Sequence, residues 1–379
     1  MPNPLQIGDD EAGRVVWVPF IDAVLVFIIV ASVFGNLLVC IAIAIDRDLR
    51  KPSNLFIGSL AVADLLVALL VMPVSLSTDL IPSSIFGDVL CKAWICADIV
   101  FSSASLWHLL LISIDRYLHI KKPFLYKRWM TNTVAIATIA TLWLVTIAKT
   151  CIPVYLDWYS NGPSTGHNAT SSLVWKSQSV GDTGSSGWTL AGFIYCDHAY
   201  NFTFSIVSSC MDFFFPSIVM VTVYARVYLI VRNRAKKLRS GHLDASKRHG
   251  GCDEHTTGEI RVSNQNASDV KALITLGTII GLFLLCWSPF FVNLVICAFR
   301  SCYSFHSPTE EVFTWFGFFN SCLNPCVYAI SNRQFRRSFK YILHGRPRTW
   351  ISYASRRQRS RETNSLALTE QRRTHVQRL

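Results

Sequence analysis

The sequence predicts an all-α membrane protein: a bundle of seven transmembrane helices followed by a short amphipathic eighth helix. Two observations carry this. The 379 residues are 51% hydrophobic and only 16% charged, whereas a soluble domain carries about 25% charge. The apolar residues also gather in seven runs, at 18–45, 55–80, 93–114, 134–156, 202–230, 273–299 and 312–330. Each approaches or exceeds the roughly 20 residues that cross a bilayer as a helix. A transmembrane barrel is excluded, because its strands span only about 10 residues each.

Orientation follows from the basic residues. Apart from Arg14, Lys92, Lys149, Lys176 and Arg300, all 36 lysines and arginines fall in segments 46–51, 115–128, 226–271 and 332–379. Basic loops stay on the cytoplasmic side, which puts the amino terminus outside and the carboxyl terminus in the cytosol. The net charge of +12 is this asymmetry facing anionic membrane lipid, and it gives no support to a nucleic-acid partner. Asp9-Asp10-Glu11, followed by a span too long for a signal-peptide core, predicts no cleaved leader; the first span serves as its own insertion signal.

Three parts result. Residues 1–17 form an extracellular amino terminus, 18–343 the helical body, and 344–379 a cytoplasmic tail, Arg- and Ser-rich and expected to be disordered. Within the body, 157–198 is a long outer loop, and about 234–268 is a polar, basic inner loop expected to be mobile. Sequons stand at Asn168 and Asn201 on the outside; Asn266 also fits but lies on the cytosolic side. In 332–343, Phe335, Phe339, Ile342 and Leu343 recur opposite Arg336, Arg337 and Lys340, the pattern of a helix lying on the inner leaflet. Of the twelve cysteines, Cys91 and Cys196 both face an oxidising compartment, and a bridge between them pins the outer loop over the bundle. Cys297 and Cys302 form a second candidate pair. No cysteine or histidine spacing suggests a zinc site.

Ionisable residues inside a span are expensive and call for a functional reason. Asp64, Asp98, Lys149 and Asp212 are the cases here. Asp98 lies near the outer end of the third helix; Arg116, eighteen residues on, lies about 27 Å further along it, at the cytosolic face. A carboxylate at Asp98 needs a partner, and a ligand ammonium supplies both charge and hydrogen bonds. Trp287, Phe290, Phe291 and Trp315 can present ring faces to the same cation. Ser208 and Ser209 either bond a ring hydroxyl or indole of the ligand or turn back on their own helix. Asp212 either meets a second basic group on the ligand or pairs with Lys149; the second reading also accounts for the lysine. Pro289 permits a kink in the sixth helix below the pocket, close to Trp287. Asp269 is an expected partner for Arg116.

The motifs resemble those of the rhodopsin-like G-protein-coupled receptors over about 18–343: Gly35-Asn36, Leu60-Ala-Val-Ala-Asp64, Asp115-Arg116-Tyr117, Trp143, Pro216 with Tyr224, Cys286-Trp287-Ser288-Pro289, and Asn324-Pro325-Cys326-Val327-Tyr328. The biogenic amine subgroup is suggested by Asp98 with Ser102, by Phe290-Phe291, and by Trp315 through Ser321; Lys271-Ala-Leu-Ile-Thr-Leu and the segment from Asp115 to Tyr126 are similar to adrenergic, octopamine, serotonin and dopamine receptors that raise cyclic AMP. The resemblance implies a plasma-membrane receptor for a small protonated amine, coupled to a heterotrimeric G protein and regulated by arrestin and a receptor kinase. It also implies that Leu106, Pro216 and Phe283 repack on activation and that Asn324, Pro325 and Tyr328 take part in the switch. Asp64, Ser105, Asn320, Ser321 and Asn324 are implied to hold a sodium ion; no other cofactor is expected. This sequence departs from the amine pattern in three places. Phe318 stands where a tyrosine is usual, Asp212 where a small polar residue is usual, and the common cysteine after the eighth helix is missing.

An opsin is excluded, because no lysine lies between Lys271 and Lys340 to carry a Schiff base. A transporter lacks its internal repeats. An enzyme lacks any constellation of nucleophile, base or metal ligands. The alternative left on the same fold is a peptide- or lipid-activated, constitutively active or orphan receptor, which Phe318 and Asp212 keep open.

Overall fold

The computed structural model describes residues 4–80, 88–156, 158, 201–248, 256–300 and 308–344. Among them the chain is helical and contains no strand. The seven long helices occupy Pro4–Ile45, 52–80, Asp88–Lys121, Asn132–Tyr155, 202–248, Thr256–Arg300 and Pro308–Ser331. Six are long and apolar enough to cross a membrane. The seventh has the length, but carries Glu310, Glu311, Asn320, Ser321 and Asn324. Two shorter helices, Pro123–Trp129 and Arg333–Leu343, follow the third and the seventh.

Several helices outrun their apolar stretches. The first begins at Pro4 instead of 18, through the acidic residues 9–11; the third continues to Lys121; the fifth and sixth extend to Arg248 and back to Thr256. The inner loop expected at about 234–268 is thus helical on both sides of 249–255, which lie outside the described residues. Hydrophobic length measures the hydrocarbon core, whereas a helix satisfies its own backbone and continues into water wherever no proline or capping signal stops it.

Local chemistry sets the breaks. Thr131, Asn201 and Asn332 cap the helices that follow them through side-chain oxygens, on Val134, Phe204 and Gln334 N–H groups respectively. Two wide turns interrupt the second and fifth helices, at Val67–Val71 and Ser209–Phe214. Each immediately precedes a proline, Pro73 and Pro216. A proline ring collides with the carbonyl four residues earlier, here Leu69 and Asp212. Widening that turn to π geometry removes the collision without ending the helix.

The first helix packs on the second and seventh, the sixth lies against the fifth and seventh, and the third touches the second, fourth, fifth and sixth. It is the central post of the bundle. The core runs along it through Ile95, Leu106 and Leu109 to Met220 and Phe283, all fully buried. The helix Arg333–Leu343 buries Phe335 and Phe339, with Phe335 stacked on Tyr328 at 5.7 Å between ring centroids. Ser338 donates to Asp46 at 2.8 Å, fastening this helix to the first inner loop.

Candidate functional site

In the outer half, Asp98 and Ser102 lie one turn apart on the third helix. The Ser102 hydroxyl donates to Asp98 Oδ1 at 3.3 Å, and Asp98 remains partly open. Trp287 meets Phe290 edge-on at 6.0 Å and Phe291 at 5.8 Å, and Phe291 stacks on Phe213 of the fifth helix at 4.8 Å. Trp315 and Phe318 form a second edge-on pair on the seventh helix, at 5.6 Å. Gly317 lets the seventh helix lie against Trp287: a Cβ there sits 2.9 Å from the indole ring.

The fifth-helix residues divide. Asp212 is buried and paired with Lys149 of the fourth helix at 2.6 Å. It also accepts from Trp107 Nε1 at 3.4 Å and from Ser208 at 3.3 Å, while Lys149 donates to Ser103 at 3.2 Å. The fourth-helix lysine therefore meets the carboxylate, the internal pairing open to it in the sequence. Ser208 turns to Asp212 and not to its own backbone. Ser209 is fully buried, and its hydroxyl has no partner among the described residues.

At mid-membrane the Asp64 carboxylate is completely buried and takes three donors: Ser105 at 2.8 Å, Ser321 at 3.0 Å and Asn324 Nδ2 at 2.8 Å. These groups join the second, third and seventh helices. Asn36 adds the first, donating to the Ser321 carbonyl at 3.0 Å. Asn320 is buried but is not among the three donors to Asp64. A carboxylate with two hydroxyl oxygens is a donor set that suits a small hard cation. Below this level Leu106, Pro216 and Phe283 are all buried, and Phe213 lies 5.9 Å from Phe283.

Towards the far end of the third helix Asp115 accepts from the Tyr126 hydroxyl at 2.5 Å, and Tyr126 also bonds Ser53 at 2.8 Å. Arg116 lies 4.0 Å from the other Asp115 oxygen. The side chain of Asp269 falls outside the described residues, so the expected pair with Arg116 does too. Tyr117 accepts from Lys121 at 2.7 Å. Tyr224 packs on Gly277, where a Cβ falls 2.6 Å from its hydroxyl. The Tyr328 hydroxyl is buried and has no partner among the described residues.

Cys91 and Cys297 are each in a disulfide. Cys196 and Cys302, like Asn168, lie outside the described residues. Asn201 is described and serves as a cap.

Four residues escape a search for formal charge and motif. His108 is fully buried in the third helix, with Nδ1 2.6 Å from the Ala104 carbonyl; its break in an apolar run was legible, but a neutral imidazole carries no formal charge. Trp107 and Ser103 share a helical face one turn apart, a spacing that becomes informative only once Lys149 is seen beside them. Tyr126 lies in the short helix after the third, and its role as a donor to Asp115 carries no signal in the sequence.

Comparison with known proteins bears on this arrangement. A family model described as "7 transmembrane receptor (rhodopsin family)" matches residues 35–328. The chain belongs to that family. Among relatives of this rhodopsin-family chain, Dopamine receptor 1 of Drosophila melanogaster is 36% identical over 90% of this chain and 64% of its own length. The 5-hydroxytryptamine receptor 1 of Aplysia californica is 35% identical over 84% of this chain and 72% of its own. Octopamine receptor beta-2R of Chilo suppressalis is 32% identical over 84% and 78%. The chain thus spans just under two thirds of the Drosophila relative. Family and helices together make this a multi-pass membrane protein, and a receptor, not an enzyme.

Proposed function

We propose that this chain is a plasma-membrane receptor for a small protonated amine, signalling through a heterotrimeric G protein that raises cyclic AMP. The observation that carries the reading is Asp98: a partly open carboxylate in the first half of the central helix, accepting from Ser102, in a bundle whose sixth and seventh helices supply an aromatic wall. A ligand ammonium satisfies that carboxylate with a charge-assisted bond and the rings with cation–π contact. The names of the relatives, receptors for dopamine, 5-hydroxytryptamine and octopamine, support the same chemistry.

The amino terminus and the Cys91 side face outward and the basic loops face the cytosol, where arrestin and a receptor kinase are the further partners. A sodium ion is held by Asp64, Ser105 and Ser321, offsetting the buried charge. Cyclic AMP accumulation against a panel of amines, with Asp98→Asn as control, tests the reading. An amine response that Asp98→Asn removes without lowering surface expression is expected. Silence towards every amine, or a response that Asp98→Asn leaves intact, overturns it.

A further inference from the structure

Ser208 has one hydroxyl proton, and the structure commits it. Its Oγ donates to Asp212 at 3.3 Å. Asp212 is held where it can receive that proton by Lys149 at 2.6 Å and by the Trp107 N–H at 3.4 Å; Lys149 is itself steadied on Ser103 at 3.2 Å. A carboxylate only accepts, so the direction of the Ser208 bond is fixed. What Ser208 still offers is its oxygen lone pairs. Ser208 is also partly open, whereas Ser209 and Asp212 are closed. The open hydroxyl of the fifth helix is therefore an acceptor, and the neighbouring anion is neutralised by a lysine.

We propose that the Lys149–Asp212 pair sets the hydrogen-bond polarity of this wall, selecting aryl amines whose ring carries an O–H or N–H donor over those whose ring carries only an acceptor. Lys149 is a positioning residue: it acts through Asp212 and Ser208 without touching the ligand. The inference rests on the amine reading above and deepens it. A methoxy oxygen or carbonyl brought to Ser208 faces lone pairs with no proton between them, whereas a phenol or indole N–H completes a chain running from ligand to Ser208 to Asp212 to Lys149. Such chains polarise each member in the same sense.

The test uses matched pairs on the full-length receptor in cells: tyramine against 4-methoxyphenethylamine, and dopamine against 3,4-dimethoxyphenethylamine, read as competition binding and cyclic AMP. Each hydroxy form is expected to be favoured by about tenfold, the worth of one hydrogen bond. In Lys149→Met with Asp212→Leu, the released Ser208 proton can turn to a methoxy oxygen, and the preference falls towards unity. If that double variant does not reach the surface, Asp212→Ala releases Ser208 in the same way while leaving Lys149 able to reach outward. Ser208→Ala should weaken the hydroxy forms alone. Equal potency of the paired ligands in the wild type, with Asp98 still required, overturns this inference and leaves the amine reading standing. A preference unchanged in the released variants overturns the role of Lys149. Absence of any Asp98-dependent amine response removes both.

Discussion

Asp98, in the third helix, and Tyr126, which donates to Asp115 towards that helix's other end, are each one side of a polar contact, and their substitutions should fail in different ways. Asp98→Asn keeps the shape and removes the charge. Losing a charge-assisted bond costs about 2–3 kcal/mol, or about 30- to 150-fold in amine affinity, with surface expression unchanged; ligand competition on intact cells measures both. Tyr126 is half-buried, and burial first, then its bond to Asp115, pushes its phenol up to about 12. A folded-state value above the ordinary one near 10 means the protonated donor contributes fully below pH 10. That contribution is lost only as pH rises through about 12. Tyr126→Phe should therefore lower the melting temperature of the purified receptor by the equivalent of about 1.5–3 kcal/mol, with a difference from wild type that stays flat between pH 6 and 9. A deficit that appears or vanishes within that window contradicts the assignment of Tyr126 as donor to Asp115.

Among the helices, the ion pair joins the fourth to the fifth within the π turn that accommodates Pro216. Its two ends are not equally replaceable. The Lys149 side chain is 24% exposed and Asp212 only 3%. A lysine left alone can carry its ammonium outward along its flexible stem, whereas an aspartate left alone stays in the core. Lys149→Met should therefore cost about 3–5 kcal/mol, as breaking a buried pair does, and Asp212→Leu distinctly less. Replacing both should recover most of the surface expression, because an apolar pair of similar volume removes the desolvation penalty as well as the attraction. Flow cytometry on the three variants reads this out. Losses that simply add would show that the two residues do not support one another.

For the whole molecule, the Asp64 carboxylate links the second, third and seventh helices, and Asn36 adds the first through the Ser321 carbonyl. If a sodium ion sits there, replacing sodium by choline should raise agonist affinity in the wild type, and Asp64→Asn should make the two salts indistinguishable. An Asp64→Asn receptor that keeps the sodium effect excludes this carboxylate as the ion's ligand. The bundle and most of these positions were legible in the sequence because hydrocarbon length and buried charge leave strong local marks. Asp64, Asp98, Lys149 and Asp212 stand out by cost alone. The helix ends were less legible, since a helix running on into water changes neither hydropathy nor charge. Nor was the Ser208 proton, whose direction depends on a lysine 59 residues away in the chain, nor Tyr126, which acquires meaning only when the short helix Pro123–Trp129 folds back on Asp115. Asn201 divides two contacts over one amide. Its amide oxygen caps the fifth helix on Phe204, and its amide nitrogen donates to the Trp158 carbonyl at 2.6 Å. That nitrogen is also the atom to which an oligosaccharide would be joined were the sequon Asn201-Phe202-Thr203 used. A glycosylated amide keeps its oxygen, and with it the cap, but has one N–H in place of two, so modification and the contact with Trp158 would both draw on one nitrogen.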